Sequence, residues 1–189
     1  MKSRTPAHFA ALYAQAEDPW HYTNSTYERR KYDHTLSVLG RRRFVAALEV
    51  GCSIGVLTRR LAGRSDRVLG IDAVSAPLEA ARARCADLPS VRFARMQVPR
   101  AWPRGRFDLI VLSELLYFLT PRDIDRCAAR VMRSLRAPGR VLLVGWRGRS
   151  DDPVSGEVAI RRFIAATRGR LRPLRHARRQ GYRLDLLAR

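Results

Sequence analysis

The sequence predicts an α/β protein: a seven-stranded, mostly parallel, doubly wound sheet that ends in an antiparallel hairpin. Three observations predict it. From Phe44 onward, short apolar runs alternate with segments of helical periodicity, as βαβ units require. The runs are apolar at nearly every position, which is the pattern of strands covered on both faces by helices. The last two runs, at 171–176 and 182–187, are separated by only five residues. That is too few for a parallel crossover, so those two strands pair as a hairpin.

The first forty residues stand apart, holding Trp20 and four of the six tyrosines, Tyr13, Tyr22, Tyr27 and Tyr32. Ser25 or Thr26 is placed to cap a helix that begins near Tyr27 and stops at Gly40. On that helix Tyr27 and Lys31 share one side, as do Glu28 and Tyr32, while Leu36 and Leu39 continue an apolar stripe. The first strand is predicted at 44–50, and a helix at 56–62 is stopped by Gly63. A second strand at 68–71 leads to a helix at 75–88 that ends before Pro89. Strands three and four follow at 91–94 and 107–112. Thr120-Pro121 opens the next helix, with Thr120 as cap, Asp123 near the amide end and a buried stripe of Ile124, Cys127, Ala128, Val131 and Leu135. Pro138-Gly139 ends it, a fifth strand runs over 141–146, and a helix at 157–167 leads to the hairpin. The whole chain, 1–189, reads as one domain in which residues 1–40 form a helical lid.

Composition narrows the function classes. Hydrophobic content of 46% with 29% charged residues is globular rather than disordered, despite a net charge of +20. Only Lys2 and Lys31 are lysines, so 35 of the 37 basic residues are arginine. Such an imbalance reads as codon usage in a GC-rich genome before it reads as a polyanion-binding face. Cys52, Cys85 and Cys127 are odd in number and far apart, which supports neither a disulfide framework nor a zinc or other metal site. Residues 1–18 hold no signal-like apolar run, and the longest apolar stretch, 109–119, is broken by Ser113 and Glu114. These features predict a soluble, cytoplasmic protein with no membrane partner.

The turn Leu48-Glu49-Val50-Gly51-Cys52-Ser53-Ile54-Gly55 joins the first strand to a helix. In an open α/β sheet, ligands sit beyond the carboxyl ends of the strands. Glycine at 51 and 55 lets backbone or ligand approach without a Cβ in the way. The spacing is not that of a dinucleotide fingerprint, so no pyrophosphate is expected on the helix amide end. Glu49, just inside the turn, suits a ligand bearing an ammonium group. Asp72 ends the second strand 21 positions after Gly51, where a carboxylate can accept hydrogen bonds from both hydroxyls of a ribose. Together these residues point to an adenosine-containing ligand.

The glycine turn, the Asp72 strand end and the block Phe107-Asp108-Leu109-Ile110-Val111-Leu112-Ser113-Glu114-Leu115-Leu116-Tyr117-Phe118-Leu119 resemble class I S-adenosylmethionine-dependent methyltransferases of Rossmann-like fold. More narrowly, Asp18-Pro19-Trp20, Tyr27-Glu28-Arg29-Arg30-Lys31-Tyr32, Trp102-Pro103 and Gly181-Tyr182-Arg183-Leu184-Asp185 resemble the NodS group, N-methyltransferases of the amino sugar in nodulation oligosaccharides. One antiparallel strand at the end of an otherwise parallel sheet is a feature of the same superfamily. The resemblance implies S-adenosyl-L-methionine as cofactor. Glu49, Gly51, Cys52 and Gly55 would hold its methionine part, Asp72 its ribose and Gln97 its adenine, with Ser113 and Glu114 bordering the sulfonium and the acceptor. Trp20, Lys31, Ser53, Ala73 and Val98 complete the implied cofactor set. Ser53 stands where the family usually has glycine, and Gln97 where it often has an acid; an amide can still pair with adenine.

Methyl transfer from a sulfonium needs alignment and, for an amine acceptor, a group that takes or orients a proton. Glu114 is the first candidate for that role because it lies beyond a strand carboxyl end; Tyr117 and the lid residues Trp20, Tyr22 and Tyr27 come next. Several acceptors are argued down. The turn after strand four lacks the Pro-Pro-aromatic signature of exocyclic base amines, no cysteine follows a proline, and two lysines cannot build a Lys-Asp-Lys-Glu site. The expected acceptor is a small molecule or oligosaccharide, with an amino-sugar nitrogen preferred. The alternatives are another small-molecule N- or O-methyltransferase, or an RNA-binding or RNA-modifying protein. That last reading lacks a strand on which aromatic and basic residues interleave.

Overall fold

The computed structural model describes residues 2–189. Two helices, α1 (Pro6–Gln15) and α2 (Thr26–Ser37), precede the sheet. There follow β1 (Ala47–Val50), α3 (Val56–Ala62), β2 (Val68–Asp72), α4 (Ser75–Arg84), β3 (Val91–Arg95) and β4 (Phe107–Ser113). A 3-10 turn (Leu116–Phe118) leads to α5 (Pro121–Ser134), β5 (Leu135–Trp146), α6 (Gly156–Ala166), β6 (Arg172–Arg179) and β7 (Tyr182–Ala188). The strands lie in the order β3-β2-β1-β4-β5-β7-β6, and only β7 runs against its neighbours. The predicted fold class is the observed one.

Why the strands are apolar on both sides is visible in the core. Leu48, Val50, Ile110 and Leu112 point to one face, where they pack on Ile124, Val131 and Phe163 of α5 and α6. Ala47, Leu109 and Val111 alternate to the other face, against Leu57 and Leu61 of α3 and Tyr32 of α2. Burying such side chains contributes roughly 1.5–3 kcal/mol each, so the two-sided packing dominates the stability of the sheet. The helix starts follow their caps: Ser25 accepts from the Glu28 amide at 3.3 Å and Thr120 from the Asp123 amide at 3.3 Å.

Among the differences from the sequence expectation are three boundaries and one helix, each with a local reason. The first strand shortens to β1 because Phe44 makes only an isolated bridge with Ser65. α4 ends at Arg84 rather than 88, where Cys85 leaves helical geometry. β5 begins at Leu135, and Pro138-Gly139 lies inside it. Pairing with β4 jumps from Phe107↔Leu135 to Leu109↔Arg140, so the proline, which has no N–H to give, sits in the bulge. α1 was not expected as a helix; none of its residues is fully buried, and its short stripe of Phe9, Leu12 and Tyr13 is only half-buried. Among the described residues no helix is long and apolar enough to cross a membrane.

Candidate active site

β1 pairs in parallel with β2 on one side and β4 on the other, so the order of strand addition reverses between β1 and β4 and opens a crevice at their carboxyl ends. The turn between β1 and α3 is tied to β2. The amides of Gly51 and Cys52 both donate to the Ile71 carbonyl, at 2.8 and 3.0 Å. The Asp72 carboxylate accepts from the Ser53 amide at 3.0 Å and the Val74 amide at 3.1 Å. Burial raises the Asp72 carboxyl above its ordinary range, and those backbone amides oppose the rise. Gly55 is needed as glycine: its φ is +76°, and a Cβ there would lie 2.9 Å from that of Ala81. Ser53 also adopts a left-handed φ of 49°, the conformation a glycine takes without cost.

Glu49 is buried on β1, and Thr58 of α3 donates its hydroxyl to Oε2 at 2.5 Å. It has no cationic partner among the described residues, and burial pushes its carboxyl up to about 8. Its walls are shared by Tyr22, Tyr32, Cys52, Ser113 and Glu114.

Glu114 follows β4 and holds a left-handed φ of 52°. Its Oε1 accepts from the Lys31 ammonium at 2.9 Å. Its Oε2 accepts from the Tyr117 hydroxyl at 3.0 Å and the Trp146 amide at 2.8 Å. Lys31 is 2% exposed and bridges to Glu28 as well, at 2.9 Å. The ammonium of Lys31 loses by burial, yet Glu114 and Glu28 together outweigh that loss and its proton is held more tightly than usual. Burial raises the Glu28 carboxyl although Lys31 pulls it down, and Glu28 Oε2 has no partner. The three groups carry two negative charges and one positive, a buried cluster fixed directly behind the cleft wall.

The structure gathers most of the sequence-predicted residues. Gly51, Ser53, Asp72, Ala73, Gln97, Val98, Trp20 and Glu114 line the larger part of the cleft. Glu49, Cys52 and Ser113 line the smaller part, with Ser53, Gly51 and Glu114 shared between the two. Four do not reach it. Lys31 sits behind Glu114 and lies 5.2 Å from the centroid of the Tyr27 ring. Tyr27 packs edge-on against Trp146 and Tyr182. Tyr117 meets the cleft only through Glu114, and Gly55 lies beneath the turn as the residue that starts α3.

What the sequence reading missed comes from α1 and the residues just before it. Arg4, Phe9 and Tyr13 cover the mouth of the cleft. The Tyr13 hydroxyl meets Ser53 Oγ at 2.5 Å, and Phe9 packs edge-on to Phe118 at 4.9 Å. Trp20 stacks on Tyr22 at 5.6 Å beside them. Thr5-Pro6 was the available signal, the same cap-and-proline start that marks α5, with Thr5 accepting from the His8 amide. The space left between these groups is about 90 Å³. Ligand pockets run to roughly 300–1,000 Å³, so a ligand of nucleoside size would need part of this lining to move outward.

Residues 11–151 match the family of nodulation protein S (NodS). Over 130 residues the chain is 32% identical to nodulation protein S of Bradyrhizobium diazoefficiens, an overlap of 68% of this chain and 62% of that protein. The chain spans only 55–62% of the length of this and the other nodulation S proteins it matches. A putative methyltransferase from Pseudomonas syringae has a similar structure, with 36% identity, a TM-score of 0.76 and coverage of 87% of this chain and 100% of that one. The N-methyltransferase NodS from Bradyrhizobium japonicum WM9, in complex with S-adenosyl-L-homocysteine, aligns with a TM-score of 0.86 over 95% of this chain and 97% of that one at 21% identity, a likeness of fold.

Proposed function

The chain belongs to the nodulation protein S (NodS) family, whose fold is that of the S-adenosylmethionine-dependent methyltransferases, and from this premise we propose that it transfers a methyl group from S-adenosylmethionine to the nitrogen of a small-molecule or oligosaccharide amine, an amino sugar foremost. One observation carries the reading. Two carboxylates flank the same glycine turn, and the buried one, Glu49, has no cation of its own. A ligand that brings an ammonium to Glu49 and ribose hydroxyls to Asp72 fits that pair. Gln97 on the wall, with Met96 and Val98 beside it, offers both an amide edge and apolar contact to a flat base.

When bound, the cofactor supplies a methyl group already activated on a sulfonium, so alignment and exclusion of water are what the protein adds. Glu114 faces the cleft with three hydrogen bonds holding its carboxylate in one orientation. We assign it the task of orienting the acceptor N–H and receiving its proton. Lys31, Tyr117 and the Trp146 amide act through Glu114 by fixing it. The aromatic rings of Phe9, Tyr13, Trp20 and Tyr22 shield the same volume from solvent.

Calorimetric titration with S-adenosylhomocysteine, followed by a labelled-methyl screen over deacetylated chitooligosaccharides and small amines, tests the function. Saturable one-to-one binding and label transfer to an amine are expected; absence of binding overturns the cofactor, and label on a hydroxyl overturns the acceptor. With an acceptor in hand, Glu114→Gln is expected to lower turnover by about 10- to 100-fold while leaving the homocysteine product's affinity within a few-fold. Equal turnover removes Glu114 from the reaction.

The Glu49 carboxyl gives a pH signature. Folding raises it from 4.5 to about 8, so the stability it lends is complete below about 4.5 and is lost as pH rises through about 8. An ammonium beside it favours the ionised form, so binding expels a proton near pH 7. The affinity for S-adenosylhomocysteine is therefore expected to rise between pH 6 and 8, with a binding heat that depends on the buffer's ionisation enthalpy. Glu49→Gln should lose the buffer dependence; a proton release that persists in that variant rules Glu49 out as its source.

A further inference from the structure

The methyl-transfer cleft lies at the carboxyl ends of the strands and uses few of the arginines. At the opposite, amino end of β1, β2, β3 and β4 a second groove encloses about 530 Å³, within the range of ligand pockets. Arg67, Arg92, Arg104, Arg106 and Arg136 line it, and no acidic residue does. All five are exposed, and none is in an ion pair among the described residues. Elsewhere on the surface, arginines beside a carboxylate use it: Arg43 pairs with Asp66, Arg59 with Asp87 and Arg162 with Asp125. Arg92 donates to the carbonyls of Pro89 and Val91, and Arg106 only reaches the Leu135 carbonyl at 3.5 Å. The floor between them is apolar, formed by Ala46, Val68 and Phe107.

Five like charges around one concavity repel each other, with water and salt screening them in part. A bound anion relieves that repulsion. The guanidinium fork matches phosphate oxygens two at a time, and an apolar floor beside it matches an organic substituent rather than a bare ion. We propose that this groove binds the diphosphate group of an organic phosphoanhydride, independently of the methyl-transfer cleft. The diphosphate lies among the arginines, and its substituent rests on Val68 and Phe107.

Calorimetry at low ionic strength tests this with three probes: inorganic pyrophosphate, a nucleoside diphosphate and a prenyl diphosphate. Saturable one-to-one binding is expected, tighter for whichever organic arm fits the floor than for pyrophosphate, which separates the two sources. Arg104→Gln/Arg136→Gln should weaken it by about tenfold or more while the affinity for S-adenosylhomocysteine stays unchanged. Arg149→Gln/Arg161→Gln lowers net charge equally at exposed positions away from the groove and should leave diphosphate binding intact. An equal loss in both variants means general charge attraction and overturns the site. So does non-saturable binding, or a short single-stranded RNA that binds more tightly than every diphosphate and is lost in the groove variant.

Discussion

Asp72→Ala is expected to lose affinity for S-adenosylhomocysteine by about 100- to 10,000-fold. The carboxylate is placed for two hydrogen bonds from vicinal hydroxyls, and hydrogen bonds to a charged group contribute roughly 1.5–3 kcal/mol each. Asp72 also accepts from the amides of Ser53 and Val74, which shape the two turns that border the crevice. The substitution therefore damages the contact and its frame at once. Asp72→Asn separates the two effects because it keeps an acceptor oxygen for one turn but gives up the charge. Titration calorimetry on both variants, with thermal unfolding as the control for fold, measures the split. An Asp72→Ala protein that binds within threefold of the parent would remove Asp72 from the ligand's sugar.

Lys31→Met is expected to destabilise the protein by about 3–5 kcal/mol, the range for removing one partner of a buried charge pair. The reason is what remains. Glu28 and Glu114 would face each other with side-chain exposures of only 9% and 11%, and Glu28 already has one oxygen without a partner. Total stabilities of 5–15 kcal/mol make such a loss a large fraction of the whole. At this chain length it corresponds to a fall in Tm of about 10 °C. Two buried carboxyls without their cation take up protons in the folded state, so the variant's deficit should shrink as pH falls and grow as pH rises. Lys31→Met/Glu28→Gln removes one of the two negative charges and should recover part of the loss. A single variant that unfolds with the parent at pH 8 would show that the pair is not the anchor of α2.

The sheet was legible because burial on both faces writes itself into composition. Leu109, Ile110, Val111 and Leu112 are all buried, so the strand is apolar throughout and needs no alternation to be recognised. The cleft was legible where chemistry and strand ends coincide, as at Glu49, Gly51 and Asp72. Lys31 shows where this stops. Periodicity correctly set it beside Tyr27, but it cannot say that the same face of α2 meets Glu114, more than eighty residues away in the chain. α1 escaped because its apolar stripe is short and only half-buried, and what it gives the cleft comes from Pro6, Phe9 and Tyr13 alone.

α1 and the residues before it are tied to the rest of the molecule mainly through Ser3, Arg4, Phe9 and Tyr13. Ser3 meets Asp123 at 2.7 Å, Arg4 meets Asp152 at 3.1 Å, and Tyr13 meets Ser53. A segment none of whose helical residues is fully buried opens at a lower free energy than the core strands. A ligand entering the crevice would then need this segment to open while the seven strands behind it stay paired.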